Sequence, residues 1–217
     1  MNLTEKAGPI GSGMVVALLL AAGESKRMGR NKLLMPLQGK PLVRRALENL
    51  LASAVDQITV VLGHQAEETA QAIKPVLSRN PDRVTTVVNQ DFAQGMSTSI
   101  RAGLKDLSRE CQAVMIALAD EPFVEPQVID VLITAYRGRK GDIVVPTFQG
   151  RMGHPALFDR KYFPELSALK GDVGARSVVQ AHKQELASLE VNQQGILLDV
   201  DDIETYQRLA EKWKGPG

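Results

Sequence analysis

Seven consecutive apolar residues, Met14 to Leu20, show no polar alternation and empty directly into a loop of small and basic residues that ends at Gly29. A half-exposed strand alternates apolar and polar side chains. One without alternation has to be covered on both faces, which happens when helices pack on both sides of a sheet. The stretch is far shorter than the roughly 20 residues of a spanning helix, so it reads as a buried strand, with no membrane association.

The rest of the chain supplies the covering helices. Pro41 to Ala52 places Leu42, Val43, Ala46, Leu47, Leu50 and Leu51 at helical spacing, and Ile58 to Leu62 follows as a β-branched run ending at Gly63, which makes one β-α-β unit. Further helices are expected over Ala66 to Leu77, Ser97 to Leu107 and Pro126 to Tyr136, with strands at Val84 to Val88, Ala113 to Leu118 and Ile143 to Val145. The predicted fold is α/β, three-layered, with a mostly parallel central sheet. In such sheets ligands sit outside the carboxyl ends of the strands.

After Pro146 the pattern weakens, because TFQGRMGHPALF is crowded with turn-formers. Val178 to His182 reads as the end of a helix, Leu186 to Val191 as a late strand and Asp202 to Trp213 as an amphipathic terminal helix. Residues 1–13 are polar and Gly-rich and read as a disordered lead, with Met14 a candidate functional start. Residues 14–217 then form one domain in two halves, about 14–122, which carries the loop after the first strand, and about 123–217, an elaboration on the sheet that shapes an acceptor site. The charge totals, 26 basic and 25 acidic residues, exclude a global field for nucleic acid. Cys111 is the only cysteine, so an internal disulfide and a multi-thiolate zinc site are excluded, and a reducing, cytoplasmic setting is expected.

The loop after the first strand, LAAGESKRMG, suits a phosphate ligand. Leu20, Ala21, Ala22 and Gly23 carry small side chains beyond the leucine, so main-chain N–H groups can approach oxygens, while Lys26, Arg27, Arg30 and Lys32 supply charge. An ordinary strand-to-helix turn with a solvated basic tip has the same composition. Neither familiar phosphate loop is present: GxxxxGK[ST] is absent, and Ser25 occupies a position where GxGxxG needs glycine.

Other polar signals fall at predicted strand ends. Asp120 closes VMIALAD and is placed either to hold Mg²⁺ or to cap the next helix. Asp199, Asp201 and Asp202 offer a second ligand, or N-caps for the terminal helix. Gly95 with Ser97, Thr98 and Ser99 marks a loop-to-helix junction suited to a base or phosphate, or a capped helix after a Gly turn. His154 precedes Pro155, which biases it toward extended backbone, as an acceptor contact or a plain turn residue.

Taken in order, LAAGESKRMGRNKLL, NQDFAQGMSTSIRAGL, LADEPF, GHP, GDVGAR and LDVDDIETY resemble the molybdenum cofactor cytidylyltransferases, within the molybdopterin nucleotidyltransferases, from about Val15 to Leu209. The resemblance implies a nucleotide-diphospho-sugar transferase-like, Rossmann-like fold. It implies that Leu20, Ala21, Ala22 and Gly23 wrap the base and ribose, that Arg27 and Lys32 hold the triphosphate, and that Gly95 and Ser99 lie near the base. Asp120 and Asp201 match metal ligands for Mg²⁺, with Mn²⁺ the alternative ion, and Lys32, Arg27 and Asp120 carry the catalytic roles. His154, Asp172 and Arg176 face the acceptor.

LAAG rather than LAGG favours CTP over GTP, with molybdopterin as acceptor and a recipient molybdoenzyme or its chaperone as a downstream partner. The alternatives are a guanylyltransferase, a sugar- or polyol-phosphate nucleotidyltransferase of the same fold, and a non-catalytic carrier of the cofactor. Two positions depart from the family's pattern. Glu121 stands where it usually has glutamine, and Ile203 stands where a proline usually starts the last helix.

Overall fold

The computed structural model describes residues 13–212. The expected disordered lead therefore lies outside the described residues except for Gly13, as does Trp213 of the terminal helix.

The chain begins with β1 (Met14–Ala21) and a small antiparallel hairpin, β2 (Pro36–Leu37) and β3 (Lys40–Pro41), then α1 (Leu42–Leu51), β4 (Gln57–Leu62), α2 (Ala66–Leu77) and β5 (Val84–Val88). It continues through α3 (Met96–Lys105), β6 (Cys111–Leu118), α4 (Pro126–Arg137), β7 (Ile143–Phe148), β8 (Arg151–Met152) and β9 (Ala156–Asp159). The last elements are α5 (Phe163–Ala168), α6 (Arg176–Ala181), β10 (Leu186–Glu190) and α7 (Ile203–Lys212). The main sheet has the order β10-β7-β9-β6-β1-β4-β5, with β8 paired to β7. β5, β4, β1 and β6 are mutually parallel, as are β7 and β10, and β9 is antiparallel to both of its neighbours.

β1 is central, and its residues divide by parity between two cores. Val15, Ala17, Leu19 and Ala21 pack with Leu47 of α1, Ile73 of α2 and Ile129 of α4. Val16, Leu18 and Leu20 face the other way, onto Ile100 of α3, Leu166 of α5 and Val178 of α6. Burial on both sides is the reason the sequence shows no alternation here, and it makes the three-layer arrangement.

The region after Pro146 departs from expectation. β7 runs on through Pro146 to Phe148, and Ala156–Asp159, inside a stretch read as turns, is a strand inserted between β6 and β7. Pro146 is tolerated because β7 changes partner at that point: Ile143 and Val144 pair with β9, Thr147 and Phe148 with β8. The four residues of β9 follow immediately on Pro155 and are too few to show a period.

Close approach at the strand ends positions the loop after β1. A Cβ on Gly63, just past β4, would lie 2.6 Å from Ala22 Cβ, 2.8 Å from Phe92 Cβ and 2.9 Å from the Ala22 carbonyl. The glycine lets these three segments meet. Gly63→Ala is expected to lower stability by about 1–3 kcal/mol through overpacking, read by urea denaturation. A loss within about 0.5 kcal/mol would show that the loop yields freely.

Candidate active site

The strand order reverses at β1. The chain steps outward from β1 to β4 and β5, then returns to β6 on the other side, so the loops leaving β1 and β6 part and open a crevice at their carboxyl ends. This cleft has a volume of about 570 Å³ and is lined by Leu20 to Arg27, except Ala21, with Lys32 and Leu33; by Phe92 to Met96 with Ser99; and by Leu118, Asp120, Asp172 and Asp201. That volume lies within the roughly 300–1,000 Å³ typical of small-molecule sites.

The first segment is held by its own side chains. Ser25 and Gly29 adopt left-handed backbone (φ 53° and 64°), which folds the basic stretch back on itself, and Ser25 Oγ accepts from Lys32 N at 3.2 Å. Asn31 is buried, accepts from Leu33 N at 3.0 Å and donates to Thr69 Oγ1 on α2 at 3.4 Å. Of the four small-residue positions, Leu20, Ala22 and Gly23 line the cleft, whereas Ala21 ends β1 with its side chain in the core. A Cβ on Gly23 would meet nothing within 4 Å. Its lack of a side chain keeps the cleft open.

The second segment hangs on Asn89, just after β5. Asn89 Nδ2 donates to Thr98 Oγ1 at 2.7 Å and to Ser99 Oγ at 3.1 Å, and its Oδ1 accepts from Asp91 N. The hydroxyls are thus tied to Asn89, and the residue preceding α3 is Gly95, which makes no side-chain cap. Gly95 has φ 110°, and a Cβ there would lie 2.4 Å from the Gly171 carbonyl carbon. Met96 N donates to Asp172 Oδ1 at 3.3 Å, which fastens the 171–174 loop to this wall.

Charge concentrates at the far ends of the two central loops. Lys32 Nζ lies 2.6 Å from Asp120 Oδ2 and 2.9 Å from Asp201 Oδ1, and Arg27 Nη2 lies 2.6 Å from Asp201 Oδ2. Burial disfavours the Lys32 charge, but Asp120 and Asp201 outweigh it and hold the ammonium above its ordinary value. Burial likewise opposes ionisation of Asp201, and Lys32 and Arg27 pull its carboxyl below the usual range. Asp199 goes the other way, raised by burial and by the neighbouring Asp201 charge. The acids after β10 therefore divide their roles: Asp201 stays ionised in the cleft, and Asp202 Oδ1 caps α7 by accepting from Thr205 N at 2.7 Å. Asp120 is not a helix cap either, since Glu125 precedes α4. Its carbonyl accepts from Val200 N at 3.0 Å, which brings the late acids beside β6.

The donor set fits a hard divalent ion. Asp120 and Asp201 each place an oxygen against one cationic centre, here the Lys32 ammonium, and Mg²⁺ or Mn²⁺ takes one or two carboxylates and fills its shell with water and phosphate oxygens. Among the described residues no group of three or more His, Cys, Asp or Glu is arranged to hold a metal. The two carboxylates suit an ion shared with a phosphate ligand better than a closed protein cage.

The three residues expected at the acceptor are separated. Asp172 lines the same cleft as Gly95 and Lys32. His154 and Arg176 do not line it, but the His154 ring feels the charges of both Arg176 and Asp120. Arg176 begins α6 with an exposed side chain. The His154–Pro155 peptide is cis, and His154 N donates to the Ile196 carbonyl. His154 Nδ1 lies 2.7 Å from Oε1 of Glu121, a residue only 6 % exposed.

Burial pushes the Glu121 carboxyl up to about 7, against the pull of His154. Burial also disfavours the charged imidazole, yet Glu121 raises His154 overall, so the pair takes up a proton near neutrality. Sequence reasoning noticed Glu121 only as an oddity and missed Asn31 and Asn89. Position signals one of them, since Asn89 stands directly after β5.

Two outcomes follow. Gly23→Ala is expected to leave the stability of the free protein within about 0.5 kcal/mol by calorimetry, because the added methyl enters open cleft. A Glu121 carboxyl raised from 4.5 to about 7 contributes stability that is present below about 4.5 and is lost as pH rises through about 7. Glu121→Gln should therefore gain stability relative to the parent, on the order of 2 kcal/mol, between about pH 5 and about pH 8 in metal-free urea titrations. A difference that stays flat with pH would mean the buried carboxyl is not the titrating group.

Comparison with known proteins gives this geometry a lineage. The chain is 31% identical over 202 residues to nicotine blue oxidoreductase of Paenarthrobacter nicotinovorans, covering 90% of this chain and 96% of that one. It is 31% identical over 198 residues to the purine catabolism protein PucB of Bacillus subtilis, covering 88% and 94%. It is 32% identical over 154 residues to a probable molybdenum cofactor guanylyltransferase of Methanosarcina mazei, covering 69% and 66%.

Among solved structures, Rv0371c of Mycobacterium tuberculosis H37Rv superposes with a TM-score of 0.79 at 27% identity, covering 93% of this chain and 100% of that one. The same protein in complex with manganese superposes with a TM-score of 0.72 at 25% identity, covering 91% and 98%. The sheet, its switch-point cleft and these neighbours define the nucleotide-diphospho-sugar transferase fold. With the MobA-like NTP transferase domain pattern matched over residues 17–186, the chain belongs to that family of nucleotidyltransferases.

Proposed function

We propose that this protein moves CMP from CTP onto the phosphate of molybdenum-loaded molybdopterin, forming molybdopterin cytosine dinucleotide and pyrophosphate in a Mg²⁺-dependent reaction. The observation that carries the reading is the meeting of Lys32, Asp120 and Asp201 beside the open, small-residue loop at the ends of β1 and β6. A cofactor carrier has no need of such a site. The relatives' names differ in activity, so the acceptor is argued from the family and from the residues of the second half.

The chemistry asks little of the protein beyond placement and charge. An oxygen of the acceptor phosphate attacks the α-phosphorus in line; the new P–O bond forms as the bond to the pyrophosphate oxygen breaks, and pyrophosphate leaves. No protein nucleophile or general base is required, because the attacking phosphate is ionised near neutral pH. Lys32 and Arg27 offset the charge gathering on the leaving group. Mg²⁺, or Mn²⁺ as in the manganese complex of Rv0371c, held by Asp120 and Asp201, would add positive charge at the phosphate oxygens. Leu20, Ala22, Gly23, Gly95 and Ser99 would seat the nucleoside, with Asp172 on the same wall. His154 and Arg176 would receive the acceptor phosphate.

CTP is preferred to GTP because Ala22 rather than glycine lines the cleft, although one methyl group discriminates only modestly. The reading with GTP rests on the Methanosarcina mazei relative named a guanylyltransferase. A cytoplasmic setting and hand-over to a recipient molybdoenzyme or its chaperone complete the proposal. Among the described residues no helix is long and apolar enough to cross a membrane.

Pyrophosphate release with Mg²⁺ and molybdenum-loaded molybdopterin, compared across CTP, GTP, ATP and UTP, tests it. Release with CTP is expected, and Asp120→Ala or Lys32→Ala should each cut it by about 10²–10³. Asp202→Ala, which removes only a helix cap, should cost about 1 kcal/mol of stability with the rate preserved. Release with GTP alone would replace the nucleotide, and silence with all four would overturn the reading.

A further inference from the structure

We infer that Glu121 is a positioning residue: by holding Nδ1 of His154 it turns the opposite edge of that ring, Nε2, outward to the acceptor. The inference rests on the transferase reading only in what it says Nε2 meets. The hydrogen bond itself is carried by geometry.

Glu121 follows directly on Asp120 at the end of β6, and its side chain is almost wholly buried, whereas the His154 side chain is 38% exposed. With Nδ1 directed at a buried partner 2.7 Å away, the ring's solvent-facing edge carries Nε2. Main-chain contacts fix the ring's root: His154 N donates to the Ile196 carbonyl, and Gly153 sits where a Cβ would lie 2.3 Å from that same oxygen. The glutamate is fixed as firmly. Asn49 Nδ2 on α1 donates to the carbonyls of Pro122 and Val124, at 3.1 and 2.9 Å, and pins the turn that carries it.

A buried carboxylate accepting from Nδ1–H also selects the tautomer in which Nε2 is the free ring nitrogen, the arrangement by which carboxylates orient functional histidines. His154 is thereby tied through one residue to Asp120. A change in the Asp120 turn therefore moves the acceptor contact as well.

Nitrogen-15 spectra of histidine-labelled protein test this without any substrate. The chain has three histidines, so His154 is assigned by comparison with His154→Gln. Above neutral pH, wild type and Glu121→Gln, whose amide oxygen can still accept from Nδ1–H, should show His154 protonated at Nδ1 alone. Glu121→Ala should show the two nitrogens averaged. Glu121→Ala spectra identical to wild type would overturn the inference, and unfolding of Glu121→Ala leaves Glu121→Gln as the arm that decides, since a shift there to Nε2 protonation overturns it too.

Inorganic phosphate, added at about pH 6 with Mg²⁺ and a non-hydrolysable CTP analogue present, then probes what Nε2 meets once the His154 ring, held above its ordinary value by Glu121, carries a proton on Nε2 to donate. It should shift the His154 Nε2 resonance in wild type and Glu121→Gln, with about tenfold weaker affinity in Glu121→Ala. Absence of any shift in wild type would refute the acceptor contact while the tautomer result stands. Failure of the CTP analogue to bind at all would instead count against the transferase reading.

Discussion

The double-sided burial of β1 is the constraint on which the rest of the molecule depends. Alternate residues of one strand serve two separate cores, so neither helical layer can shift without the other. A strand held this way delivers its last residues to a fixed place, and those residues are Leu20 and Ala21, with Ala22 and Gly23 just beyond. The cleft needs that fixity because its chemistry rests on charge placement, and a displacement of about 1 Å in such a site is costly. The parallel neighbours β4 and β6 end at the same edge, which is why Gly63 and Asp120 stand beside the loop.

Charge is organised around that edge by separation. Four acids lie close together: Asp120, Glu121, Asp199 and Asp201. Left equivalent, they would repel one another. Lys32 and Arg27 keep Asp201 ionised, and Lys32 also pairs with Asp120, whereas Glu121 and Asp199 are shifted toward protonation. The result is one strongly anionic pair able to hold a divalent ion, next to two carboxyls that hold a proton more readily than an ordinary carboxylate. The same principle assigns distinct roles to neighbouring carboxyls in other sites.

What the sequence revealed follows the range of the interactions involved. Helices of ten or more residues and the apolar runs of β1, β4 and β6 carry their period or their lack of one in the chain itself, and they were legible to within a few residues. The basic loop and Asp120 were legible for the same reason, because they sit directly after such runs. β9 was not, since four residues after Pro155 become a strand only because β6 and β7 offer edges on both sides. The local pattern leaves Asp199, Asp201 and Asp202 equivalent, and what separates Asp201 from Asp202, the cap of α7, is its pairing with Lys32, far away in the chain. Ala21 belonged to the right motif but to the core, a distinction set by strand parity and visible only once β1 ends where it does.

The two halves of the cleft differ in how they are built, and that difference bears on function. The β1 loop is shaped largely by contacts within a few residues: Ser25 to Lys32, Asn31 to Leu33, and the left-handed turns at Ser25 and Gly29. The surface beyond β6 depends on distant segments meeting, with Glu121 against His154 and His154 against Ile196. A locally determined loop keeps its geometry when its surroundings change. A surface assembled from distant turns changes whenever one of them does. A fold divided in this way can keep the edge beside β1 while the surface beyond β6 varies, and relatives about 31% identical to this chain carry names as different as nicotine blue oxidoreductase and purine catabolism protein.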